Sequence, residues 1–107
     1  MRGFYIRLIF YILLLMLIHC CKVHADPLYD LGKATYQSRC TACHNTDPKQ
    51  PGSIGPDIYG SNKELITARV LRAEYPKNYK PKRDTHFMYA MPELADKIDA
   101  IWTYLNN

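Results

Sequence analysis

Cysteine is scarce in this chain. Of four in 107 residues, Cys20 and Cys21 are adjacent at the end of an apolar run, and Cys40 and Cys43 stand two residues apart. No spare pair remains for the disulfide framework that staples many small secreted domains. Glycine is scarce as well, and none of the five opens a loop of the kind that cradles phosphate. The ten acidic residues include no pair suited to general acid–base work; Asp57, Glu64, Asp84 and Glu93 are scattered and read as caps and surface charges. No stretch shows the period-2 alternation of a strand, and there is no internal repeat. These absences exclude a disulfide scaffold, a nucleotide-binding α/β enzyme and an acid–base hydrolase. The expectation is an all-α protein that is not an enzyme.

A usable excess of charge is missing too. The formal +4 includes Arg2, Arg7 and Lys22 of the N-terminal segment. Without them, eleven basic residues face ten acidic ones, so a general affinity for nucleic acid or anionic membrane is not indicated. The one local exception is Lys77-Asn78-Tyr79-Lys80-Pro81-Lys82-Arg83. It reads either as a solvated loop or as a cationic patch for an acidic partner or ligand group.

Residues 1–25 read as a signal peptide. Arg2 and Arg7 form a basic start, residues 8–18 are continuously apolar, and Val23-His24-Ala25 offers a cleavage site before Asp26. The run is short for a membrane span, which needs about 20 residues; a retained anchor is the alternative. A lipoprotein signal is disfavoured by the bulky His19 before Cys20. The expected mature domain, residues 26–107, is exported and has too few residues to build a large core of its own.

What is present is Cys40-Thr41-Ala42-Cys43-His44, the C-x-x-C-H pattern of covalent c-type haem attachment. Two thiols at this spacing add across the two vinyl groups of one macrocycle, and the next residue supplies an imidazole nitrogen to the iron. A bare C-x-x-C also occurs in thioredoxin-type redox pairs and in zinc sites. The first wants a βαβ pattern and the second another ligand pair. Neither is found, since the only histidine outside the motif and the N-terminal segment is His86. One covalent haem c is the expected cofactor.

Around the motif the chain alternates helix and loop. A helix is expected over residues 29 to about 43, with Leu28, Leu31 and Thr35 on one stripe and Gly32, Tyr36 and Cys40 on another. Gly32 lowers helix stability, which is best explained if another helix crosses there. Residues 45–60 are punctuated by Pro48, Pro51-Gly52 and Gly55-Pro56 and read as loop. Ser61-Asn62-Lys63-Glu64 has the form of a capping box with Ser61 as cap, opening a helix whose apolar side is Leu65, Ala68, Val70 and Leu71 and which ends before Pro76. A second loop covers residues 76–92. The last helix, residues 95–105, carries Ile98, Ile101, Trp102 and Leu105 at i, i+3, i+4 and i+7. Two long loops in so small a domain call for something to wrap around, and a haem would provide it.

With the haem motif, Gly32 and Tyr36 upstream, Gly55-Pro56-Asp57-Ile58-Tyr59-Gly60 and the methionine loop in this order, the mature chain resembles class I cytochrome c. The resemblance implies a small cytochrome c fold of about three main helices and long loops around one covalent haem. It implies that the first helix meets an aromatic of the last, Trp102 or Tyr104, and that the Pro56 carbonyl accepts a hydrogen bond from His44. It also implies a methionine as distal iron ligand. Met91-Pro92 matches a common pair, but Met88-Tyr89-Ala90-Met91-Pro92-Glu93-Leu94 matches the longer run with Tyr89 as its departure. Met88 is therefore the expected ligand, Met91 the alternative and His86 the third choice; the methionine that does not ligate is core filler. The function implied is a periplasmic carrier of single electrons between partner proteins. The rivals are a dedicated cytochrome subunit of a periplasmic dehydrogenase or oxidase, and a haem enzyme or gas sensor whose distal ligand dissociates.

Overall fold

The computed structural model describes residues 1–19 and 26–107. Helix α1 is Arg2–His19, α2 is Pro27–Arg39, α3 is Lys63–Arg72 and α4 is Ile98–Leu105, with a 3-10 segment Pro92–Lys97 leading into α4. No strand occurs among the described residues, so the fold is all-α. α1 packs against none of the other helices. No described helix is long and apolar enough to cross a membrane. Cys20, Cys21 and the cleavage site Val23-His24-Ala25 lie outside the described residues.

α2 starts where its sequence provides for it. The Asp26 carboxylate accepts from the Leu28 N–H at 2.9 Å and Pro27 fills the first turn, where a missing N–H costs nothing. Its buried face is Gly32, Thr35 and Tyr36. Of the two stripes, the one carrying Gly32 and Tyr36 turns inward, because α4 crosses at Gly32, and Leu28 and Leu31 are 42% and 41% exposed. A β-carbon on Gly32 would stand 1.9 Å from the Ala100 carbonyl oxygen and 2.9 Å from Tyr104 Cβ. The aromatic that meets α2 is Tyr104, whose ring centroid lies 5.3 Å from that of Tyr36 and 5.4 Å from that of Tyr29. Trp102 points aside, 39% exposed, with the Lys63 ammonium 5.7 Å from its ring centre.

Three helix limits differ from the expectation. α2 ends at Arg39 rather than near Cys43, and residues 40–44 continue as turns in which the His44 N–H reaches the Cys40 carbonyl at 2.9 Å. The Cys43 carbonyl is taken instead by the Gly55 N–H at 2.9 Å, a partner from the following loop. α3 is capped by Asn62, whose side chain accepts from the Leu65 N–H at 2.8 Å, while the Ser61 hydroxyl is turned to the Ile58 carbonyl, to which it donates at 2.6 Å. Its buried residues are Ile66, Ala68 and Val70, and it stops at Ala73, which has a left-handed φ of 55°. Pro92, which lacks an N–H, opens a 3-10 segment, so regular α-helix begins only at Ile98. The core gathers Tyr36, Ile66, Val70, Met91, Leu94, Ile98, Ile101 and Leu105 beside the turn that carries the two cysteines.

Candidate cofactor cleft

Beside this core lies a cleft that is partly open to solvent. Cys40, Cys43 and His44 line it together with Ile54, Gly55, Pro56, Ile58, Leu65, Arg69, Arg83, Phe87, Met88 and Met91. Most of that lining is apolar. The chain thus brings both cysteines and the histidine of the C-x-x-C-H turn and both methionines of the second loop to one space.

The imidazole of His44 is held from several directions. Its Nδ1 lies 2.8 Å from the Pro56 carbonyl oxygen, which fixes Nδ1 as the protonated nitrogen and leaves Nε2 with its lone pair. No group among the described residues bonds Nε2. Gly55 lies flat against the ring: a β-carbon there would stand 2.4 Å from Cε1. Gly52 approaches the same turn, its missing β-carbon falling 2.3 Å from the Cys43 carbonyl oxygen. Burial pulls the His44 pKa below its ordinary value, against the raising effect of the Pro56 hydrogen bond. The ring is therefore neutral near neutral pH, the form in which a histidine ligates metal.

The cysteines are free and half-buried. Burial pushes the Cys40 thiol up to about 11, outweighing the nearby Arg39. A redox-active C-x-x-C thiol is depressed instead, so Cys40 is poorly suited to attack in disulfide exchange. No group of three or more His, Cys, Asp or Glu side chains gathers as a metal site among the described residues, so a four-ligand zinc centre has no basis there.

The expected distal residues separate by burial. Met91 is 4% exposed, lies in the core cluster and donates its backbone N–H to the Val70 carbonyl at 2.7 Å. Met88 is half-buried and packs on the edge of that cluster. His86 is turned outward, its side chain 91% exposed and 3.4 Å from the Asp84 carboxylate, and it does not line the cleft.

Arg69 and Tyr75 of the cleft carried no signal in the sequence. Arg69 donates to the Ala73 carbonyl at 2.7 Å and lies 4.0 Å over the Tyr75 ring, which stacks on Tyr79 at 5.5 Å. Tyr36 is fully buried and its hydroxyl donates to the Asn45 carbonyl at 2.5 Å, pinning the chain just after His44. Of the cationic run, Lys82 bonds the Asp57 carboxylate at 2.8 Å and Arg83 bonds the loop before Pro56, whereas Lys77 and Lys80 stand exposed. Only the lysine–aspartate pairing was open to a charge-pattern reading; the arginine contacts are to backbone and leave no pattern. Comparison with family models, curated proteins and solved structures gives no match, so the functional reading rests on this geometry and on the sequence.

Proposed function

We propose that the protein is a monohaem electron carrier of the class I cytochrome c kind, exported to the periplasm with residues 1–25 removed. The carrying observation is the C-x-x-C-H turn opening into an apolar cleft with the Nε2 side of an oriented, neutral imidazole unpaired. The fit of a haem rests on the donor set: two thiols at vinyl spacing, one imidazole and a thioether, all lining one cleft.

When bound, the haem supplies an iron that cycles between Fe(II) and Fe(III). The protein's own residues do the rest. Cys40 and Cys43 hold the group covalently and His44 presents Nε2. Pro56 fixes the tautomer and raises the donor strength of the ring, as such outer partners do in metal sites generally. Met88 would supply the thioether: it lines the cleft while only partly buried, whereas Met91 belongs to the core. The apolar lining of Ile54, Ile58 and Leu65 lowers the polarity of the cleft, which would favour the less charged reduced state. Electrons pass to and from partner proteins, not to a small substrate.

The test is one redox-monitored visible spectrum of the purified protein with its mass. A mass above that of the chain by one haem, with a far-red methionine–Fe(III) band, supports the carrier. A colourless protein overturns it. Phe87 and Tyr89, 70% and 65% exposed at the cleft rim, favour a second reading, a dedicated cytochrome subunit bound permanently to a dehydrogenase or oxidase. Gel filtration of cell extract separates the two, since a free carrier elutes at its own size.

A further inference from the structure

Two side chains of the loop that carries Met88, Lys82 and Arg83, reach the loop that supports His44, and Arg83 is the one that bonds the turn packed on the imidazole. Arg83 Nη1 donates to the Gly52 carbonyl at 2.8 Å and to the Gly55 carbonyl at 3.2 Å. These carbonyls bound a tight turn in which the Gly52 N–H bonds the Gly55 carbonyl at 2.9 Å and the Gly55 N–H bonds the Cys43 carbonyl at 2.9 Å. The Gly55 carbonyl belongs to the peptide plane that enters Pro56. Proline's ring fixes φ near −65°, so one soft dihedral, ψ of Pro56, separates that held plane from the carbonyl that meets His44. Next door, the Lys82 ammonium donates to the Asp57 carbonyl at 3.0 Å, so the chain is braced on the far side of that carbonyl as well.

We propose that Arg83 is a positioning residue for His44. It holds the Gly55–Pro56 peptide plane, and through it the carbonyl that orients the imidazole, so that the histidine side of the cleft takes its geometry from the methionine loop. The inference deepens the haem reading and rests on it for its functional meaning, but the hydrogen bonds are a property of the chain itself. A surface arginine that merely added stability would act on the whole fold. Arg83 acts on one turn.

The test is hydrogen exchange by NMR on the full chain as isolated, comparing wild type with Arg83→Gln and Lys80→Gln. Arg83→Gln should speed exchange of the His44 Nδ1 proton and of the Gly55 amide at least tenfold, while the amides of Ile101 and Leu105 in α4 keep their rates. Lys80→Gln removes a neighbouring exposed charge without these contacts and should change neither. If Arg83→Gln speeds the α4 amides by the same factor, or leaves His44 and Gly55 unchanged, the proposal is overturned. It is equally overturned if Lys80→Gln reproduces the effect, since charge alone would then be the cause. A wild-type protein without covalent haem overturns the proposed function instead; the exchange ratios still decide the role of Arg83.

Discussion

The two loops of the cleft are built differently. The first, between α2 and α3, is bound at nearly every turn. Cys43, Pro48, Gly52 and Gly55 all take part in backbone hydrogen bonds, two glycines let the chain close on His44, and Arg83 and Lys82 brace it from outside. The second has little of this. Between Tyr79 and Met91 no residue makes a backbone–backbone hydrogen bond among the described residues, and Phe87 and Tyr89 are largely exposed. The histidine side is thus shaped by the polypeptide itself. The methionine side takes its order from a few side chains and, in the proposed reading, from the group bound beneath it. Segments with few buried contacts and few internal hydrogen bonds open most readily, so ligand exchange should begin at the methionine.

The largest effect should come from the first loop's chemistry. Replacing Cys40 and Cys43 together by serine should remove all covalently held colour, read by mass and by acid–acetone extraction. Retention of the colour would break the comparison at its base. Next comes the core beneath the methionine side. Met91→Ala should cost about 2–5 kcal/mol in denaturant unfolding, as for other fully buried large-to-small changes, while the methionine–Fe(III) band persists. Met88→Ala should do the opposite: it should abolish that band, lower the reduction potential and open the iron to carbon monoxide at a smaller cost in stability. A reversal of the two results would move the ligand to Met91. Gly32→Val tests the frame on which both loops hang. With the Ala100 carbonyl in the way, overpacking should lower stability by about 1–3 kcal/mol, and an unchanged melting midpoint would contradict the crossing.

The smallest effect should be in the pH dependence of the loop braces. The Lys82 hydrogen bond holds the Asp57 carboxyl below its ordinary value, and a hydrogen bond to its own backbone N–H, with Arg39 beside it, does the same for Glu93. A depressed carboxyl adds stability above its unfolded-state pKa and loses it as pH falls through the folded value. Acid titration should therefore be flat down to the ordinary carboxylate range and decline below it. Lys82→Gln should remove the Asp57 share of that decline. Both carboxylates are exposed, and high salt should shrink the effect further.

Local rules reached some of these features and missed others for identifiable reasons. Gly32 was legible because a glycine inside a helix is expensive unless a neighbour needs the space, and α4 does. The capping of α3 was legible as a place but not as an atom. Ser61 and Asn62 are both good caps, and only the folded chain shows Asn62 accepting from Leu65 while the Ser61 hydroxyl turns to Ile58. The end of α2 was misplaced because helical periodicity continues through Cys40, while the Cys43 carbonyl finds its partner in Gly55, a dozen residues on. Trp102 fell on the predicted stripe of α4, but the crossing angle is set by the absent side chain at Gly32 and the small one at Ala100, and this turns Tyr104 inward instead.

The sequence by itself determined the chemistry on offer: two thiols and a histidine at a spacing that suits one macrocycle, two methionines in a later loop, and helices between them. These depend on residue type and short-range spacing, which are local quantities. The tertiary structure alone decided that Pro56 faces Nδ1, that Gly55 lies against the imidazole, that Met91 belongs to the core while Met88 stays at its edge, and that Arg83 reaches back across 28 residues to the Gly55 carbonyl. Each is a contact between segments distant in the chain. Which segments meet is set by how α2, α3 and α4 bury their apolar faces together, and no window of neighbouring residues contains that information.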